Sequence, residues 1–209
     1  MTHDVSRETL LSAQALAKKH DEKIQEYIDQ LFWWNDRLNL MSRSVSRETV
    51  EEHVIHSLLP EAMGMLDMAH TWVDAGTGGG LPGIPLAIVA PVKTWILNDR
   101  SEKKMIAVKQ IVQSLGLDQV EIRSGSIESI KWPEYCGVIS KHAFPVTRLL
   151  SLIQDKPWGR LILYKGVTEP DVDEAMQGLE GFQTRLDRFM FDHEPFFDKK
   201  GMLSLDRSG

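Results

Sequence analysis

The chain lacks the features that mark most special classes of protein. One cysteine, Cys136, among 209 residues excludes an intrachain disulfide framework and fits a reducing compartment. It opens an apolar stretch and reads as a core residue rather than a nucleophile. No run of about eighteen apolar residues is present, and the start MTHDVSRETL has neither the basic opening nor the apolar centre of a signal peptide. A cytoplasmic location without membrane contact is expected. His53 and His56 lie three apart on one helical stretch, but no third ligand motif accompanies them, so no metal is expected. Proline is missing from the first fifty-nine residues, which leaves room for long helices.

Charge is unevenly spread. Lys and Arg total 24 against 30 Asp and Glu, a net of −6, yet residues 74–166 carry +4 between two flanks of −5 each. A basic centre between acidic flanks is either an ordinary solvated surface or a face that meets a polyanion.

Apolar residues from Leu10 through Ile24, Tyr27, Ile28, Leu31, Trp34 and Leu38 recur at helical spacing, predicting helix from Arg7 to Asn39. Ser46 can cap a further helix through Val50, His53 and Leu58, which Pro60 helps to end. Residues 1–70 are therefore expected to form a helical cap, and residues 71–209 a second domain. In that second part short apolar runs alternate with helical stretches. Strands are predicted at 71–75, 95–98, 120–122, 137–140 and 161–164, with helices from about Pro85, Lys103, Ile127 and Val146. The alternation implies an α/β fold with a mainly parallel sheet. The partial alternation in 184–191 and 202–205 predicts a C-terminal antiparallel hairpin. Phe32, Trp33 and Trp34 could stack on bases, yet beside a helical stripe they read as anchors for a helix.

The densest chemical signal is Val73-Asp74-Ala75-Gly76-Thr77-Gly78-Gly79-Gly80-Leu81-Pro82-Gly83, between the first of these strands and a helix. Five glycines in eight positions let a ligand approach backbone where side chains would collide. Asp99 follows Gly76 by 23 residues, at the end of the next strand, where a carboxylate can accept both hydroxyls of a ribose. Such a loop and acid serve either a dinucleotide or S-adenosylmethionine. Asp74, ahead of the first glycine, would repel a pyrophosphate but suits the methionine ammonium, which favours S-adenosylmethionine.

The run Asp74 to Ile88, DAGTGGGLPGIPLAI, closely resembles the cofactor loop of the bacterial 16S ribosomal RNA guanine-N7 methyltransferases, the glucose-inhibited division protein B family. Trp34-Asn35, Asn39-Leu40, His53, Ser57, Asp99 with Lys103-Lys104, Val138-Ile139-Ser140 and Lys165-Gly166 extend the resemblance. It implies a Rossmann-like class I fold and transfer of a methyl group from S-adenosylmethionine to N7 of one guanosine in the decoding-site loop of small-subunit RNA. It also implies a soluble monomer whose partner is 16S RNA in the small subunit. Carried over, Asp74, Gly76, Thr77, Gly78, Gly80 and Leu81 would hold the methionine end and Asp99 the ribose. Ile127 and Glu128 would flank the adenine. Lys141 would sit at both cofactor and target base, with Lys165, His53 and Asn39 as further positioning residues. Departures fall at Met41, His56, Arg100, Ser126 and Lys141, where the family usually has threonine, aspartate, serine, arginine and arginine. His142 separates Lys141 from Ala143-Phe144, so either a residue is inserted or the aromatic is displaced.

Attack by guanine N7 uses an in-plane lone pair that carries no proton, so the residues implied are ones that align rather than deprotonate. Two other readings stay open. A small-molecule methyltransferase would suit the acidic total charge, and a noncatalytic cofactor- or RNA-binding descendant would suit the departures.

Overall fold

The computed structural model describes residues 2–168 and 179–207. Strand β1 (Thr2–Val5) precedes three helices, α1 (Arg7–Lys19), α2 (Asp21–Leu38) and α3 (Arg47–Ala62). Then come β2 (Thr71–Ala75), α4 (Gly83–Val89), β3 (Thr94–Asp99), α5 (Glu102–Ser114), β4 (Val120–Ser124) and β5 (Cys136–Lys141). The chain continues through α6 (Val146–Ile153) and β6 (Trp158–Gly166) to β7 (Phe182–Phe189) and β8 (Lys200–Arg207).

One eight-stranded sheet runs in the order β1-β7-β8-β6-β5-β2-β3-β4. All neighbours are parallel except β8, which is antiparallel to both β6 and β7. This is the expected mainly parallel Rossmann-like sheet with its C-terminal hairpin. Side chains alternate between the two faces, as the strand period of two requires. Trp72, Trp95, Leu97, Ile139, Ile162 and Tyr164 join the core under α1 to α5. Val73, Ile96, Cys136, Val138, Leu161 and Leu163 join the second core, with Val146, Leu149 and Ile153 of α6. Cys136 is buried there, its thiol pushed up to about 12 by desolvation, so the reading of it as a core residue holds.

Four local expectations are corrected. The helix foreseen from Arg7 to Asn39 divides at His20, where Lys18 and Lys19 end α1 and Asp21 and Glu22 begin α2, each set matching the local helix dipole. Pro60 lies within α3, which runs on to Ala62. No helix starts at Ile127, because the Trp132 indole donates to the Ile127 carbonyl at 3.0 Å and closes turns ahead of Pro133. Residues 2–5 leave the helical layer altogether: β1 adds to the sheet edge beside β7.

Candidate functional site

The strand order reverses between β2 and β5, so β2 sends its following helix to one side and β5 to the other. In a parallel sheet this opens a crevice at the carboxyl ends of the strands. Asp74, Asp99, Lys141 and Lys165 all sit at that end.

Between β2 and α4 the glycine loop turns tightly, with Gly76, Gly78 and Gly80 at φ of 75°, 58° and 102°. Most of its amides are already spent inside the protein. Gly76 and Thr77 N–H donate to the Asn98 carbonyl at 2.8 and 2.9 Å, and Gly80 and Leu81 N–H to the Thr77 carbonyl at 2.8 and 3.0 Å. Gly78 N–H donates to Asp99 Oδ2 at 3.1 Å, and Gly83 N–H to Asp74 Oδ2 at 2.9 Å. A pyrophosphate needs free amides at such a turn, so the loop is built for a ligand that does not demand them. Behind it, the Tyr27 hydroxyl of α2 donates to the Gly79 carbonyl at 3.1 Å. In sequence Tyr27 falls in the helical stripe of α2, and nothing in its spacing separates this role from plain core packing.

Asp74 is fully buried, and Thr77 Oγ1 donates to its Oδ2 at 2.6 Å. Desolvation pushes this carboxyl up to about 7 against the pull of the Thr77 and Gly83 hydrogen bonds. Its Oδ1 has no partner among the described residues. A buried acceptor without a donor fits the methionine ammonium of S-adenosylmethionine, which would also restore the carboxylate. Asp99 faces the same loop: its Oδ1 accepts from Ser101 N–H at 2.9 Å while Oδ2 holds Gly78. An extra Cβ on Gly78 would meet nothing within 4 Å, so that glycine borders open space, whereas one on Gly80 would lie 2.4 Å from Ile84 Cδ1. Gly80 is therefore small for packing and Gly78 for access. Beyond Asp99 a cavity of about 250 Å³ is lined by Arg100, Ser126, Ile127, Glu128, Phe144 and Arg148 among others. Its carboxylate, hydroxyl and apolar walls fit an adenine ring.

On the β5 side the structure brings Lys141 and His53 together, with Lys141 Nζ 2.8 Å from His53 Nδ1. Burial, then the charge of Lys141, drives His53 down to about 3, so its ring is neutral and Nδ1 accepts from the ammonium. Lys141 itself falls to about 7, through desolvation and then Lys200, partly opposed by Asp74. His142 stands at φ 55° and is lowered to about 4, by desolvation and then Lys141. Lys165 Nζ donates to the Phe144 carbonyl at 2.9 Å and so anchors the 141–145 loop over the glycine turn. A Cβ on Gly76 would lie 2.4 Å from Ala143 Cβ. Asn39 takes no part in the Lys141 contact: it ends α2 in a left-handed conformation and accepts from Arg43 Nε at 2.6 Å. The adjoining Leu40 packs toward Gly79.

His56 is completely buried, with neither ring nitrogen partnered among the described residues, in a box of Tyr164, Phe189, Phe196 and Phe197 at ring separations of 4.8 to 5.9 Å. Desolvation, then Lys141, keeps it far below the usual imidazole range. Among the described residues no group of three or more His, Cys, Asp or Glu could hold a metal, and no helix is long and apolar enough to cross a membrane.

Residues 20–186 match the family model described as rRNA small subunit methyltransferase G. "Ribosomal RNA small subunit methyltransferase G" of Chlorobium chlorochromatii is 33% identical over 198 residues, covering 90% of this chain and 84% of that protein. Its namesake in Chlorobaculum tepidum is 34% identical over 177 residues, covering 81% and 82%. Among solved structures, magnesium protoporphyrin IX methyltransferase of Synechocystis PCC 6803 with bound SAM superposes with a TM-score of 0.57 at 20% identity. The match covers 84% of this chain and 89% of that one, and bears on the fold alone.

Proposed function

The chain belongs to the rRNA small subunit methyltransferase G family, and on that footing we propose that it methylates N7 of a guanosine in 16S RNA of the small ribosomal subunit. It does so as a cytoplasmic monomer, with residues 71–209 as the methyltransferase domain and residues 1–70 as a cap, although β1 of that segment extends the sheet. S-adenosylmethionine, when bound, supplies the sulfonium methyl. The Gly76–Leu81 backbone and Asp74 Oδ1 hold its methionine end, Asp99 its ribose, and Ile127 with Glu128 its adenine.

The observation that carries the choice of N7 is the Lys141–His53 contact. Guanine presents O6 and N7 side by side as acceptors on one edge. A single ammonium at O6 grips that edge and leaves the N7 lone pair free to face the methyl group. Lys141, at the end of β5 beside the glycine loop, is the donor in place for this. His53 holds Nζ from behind, its own nitrogen occupied and its basicity too low to accept a proton near neutral pH. Alignment in a partly closed crevice, rather than proton abstraction, is what these residues offer. Lys165 contributes by fixing the 141–145 loop, and Asn39 by shaping the turn that leads Leu40 to the glycine loop.

Tritiated methyl transfer from S-adenosylmethionine to isolated small subunits and, in parallel, to free guanosine tests the reading. Label is expected in the subunits and not in the nucleoside. Equal labelling of free guanosine would replace the assignment with a small-molecule activity, and no labelling of either would support a noncatalytic descendant.

A further inference from the structure

The match to the family model ends at Leu186, but the wall of the Lys141 site does not. Strand β8 starts at Lys200, whose backbone is paired with Gly166 at the crevice end of β6. The preceding turn carries Phe196, which stands edge-on to the His53 ring at 4.9 Å. Lys200 Nζ lies 3.4 Å from the centre of the Phe196 ring and donates to the Phe196 carbonyl. A continuous chain of contacts therefore runs from Lys200 through Phe196 and His53 to Lys141 Nζ, crossing from the C-terminal hairpin to α3 and on to β5.

Resting on the reading of Lys141 as the donor to guanine, we propose that Phe196 and Lys200 are positioning residues for the reaction: they hold His53, and through it the Lys141 ammonium, in register with the target base. The packing explains the division of labour. The T-shaped contact with Phe196 fixes the plane of the His53 ring, whose Nδ1 faces Lys141 Nζ. Lys200, seated on Phe196, places a second cation beside the same site, where its field is only partly screened. Its influence reaches Lys141, His53, His56 and His142, lowering each. The other charged or titratable groups around Lys141 are Asp74 on β2, Lys165 on β6, and Glu52 and Asp198 beside Lys200. Of these, Lys200 exerts the largest opposing charge effect on Lys141.

The test is a titration of the Lys141 side chain in the full chain, by NMR of lysine labelled at Cε, with the signal assigned by Lys141→Arg. Lys200→Gln should move the midpoint upward from about 7, by roughly half a pH unit for one partly screened charge. Lys200→Arg should restore the wild-type midpoint. In single-turnover methyl transfer to small subunits, the descending alkaline limb should move upward in the same variants. Phe196→Leu keeps apolar volume but removes the ring edge and the cation seat, and it should move the midpoint in the same direction while circular dichroism shows a folded protein. A midpoint unchanged in both Lys200→Gln and Phe196→Leu overturns the proposal, as does a Lys200→Arg shift equal to that of Lys200→Gln. Because the titration needs no turnover, a wild type that transfers no methyl group would count against the proposed reaction and leave the hairpin's hold on Lys141 to be read separately.

Discussion

The two halves of the crevice are built on opposite plans. On the β2–β3 side the ligand surface is backbone, and most of its polar groups satisfy one another: Asn98, Thr77, Asp74 and Asp99 take up most of the loop amides before any ligand arrives. On the β5–β6–β8 side the surface is side chain, with Lys141, His53 and His142 held away from their ordinary protonation by burial and by neighbouring charges, and His56 buried behind them. The first half is pre-formed and tolerates little change. The second stores unfavourable electrostatics that a bound guanine, offering acceptors, would relieve. A general cofactor site can be rigid, whereas selecting one base needs charged side chains whose position depends on the whole surrounding fold.

The sharpest way to break this contrast is inside the glycine loop itself. Gly83→Val should cost about 3 kcal/mol or more and unfold much of the protein at moderate temperature, because a Cβ there would lie 2.2 Å from Leu97 Cδ2 and 2.7 Å from Asp74 Oδ2. Gly78→Val should cost only the roughly 1–2 kcal/mol of a left-handed residue and keep the fold, yet lose S-adenosylmethionine binding. Thermal melting beside calorimetry would separate the two. Equal loss of stability in both would mean that Gly78 does not border the ligand space.

Next in size, Lys141→Ala should lower single-turnover methyl transfer by about 100-fold through lost alignment, with cofactor affinity unchanged. Lys141→Arg should recover part of the rate. A Lys141→Ala enzyme that binds cofactor poorly but turns over normally once saturated would move this residue to the other half of the crevice. Asp99→Ala should weaken binding of S-adenosylmethionine by about 1–3 kcal/mol, seen by calorimetry, and leave the rate at saturation close to wild type.

The smallest effect concerns stability. His56→Phe should stabilise by about 1–2 kcal/mol, because it removes from an aromatic box two buried polar atoms that lack partners among the described residues. The sign with pH follows from the depressed imidazole. The unfolded chain binds a proton below about 6.5 and the folded chain does not, so wild-type stability falls as pH drops below that value. His53 and His142, lowered to about 3 and 4, add to the same fall. Denaturant midpoints of wild type and His56→Phe should therefore diverge as pH falls from 7 to about 5. Parallel curves would mean that His56 is solvated or partnered in solution.

Legibility in the sequence divides along the same line. Strands β2, β3, β5 and β6 announce themselves as short apolar runs, because each is largely buried within the sheet. The cofactor half is contiguous, and a backbone that must turn tightly needs glycine at fixed places, so Gly76 to Gly83 and Asp99 could be read directly. Strand β1 could not: Thr2, His3 and Asp4 are exposed, and only Val5 packs inward, so no apolar pattern marks it. Lys141 and His53 are 88 positions apart, and only the family resemblance put both in one site. Phe196 and Lys200 carry no local signal, since a phenylalanine beside a turn and a lysine at a strand start look ordinary until the antiparallel hairpin folds back beside β6.

The most direct test of the central claim is to map the labelled atom after single-turnover transfer to small subunits across about pH 6 to 8.5, a range that brackets an ordinary imidazole near 6.5. Label on guanine N7, with no ascending limb and only a decline as Lys141 loses its proton above about 7, is the predicted result. Label on a ring carbon, an exocyclic amine or a ribose hydroxyl, or an ascending limb that disappears with His53→Ala or His142→Ala, would contradict it, since each requires a nucleophile or base that alignment at N7 does not use.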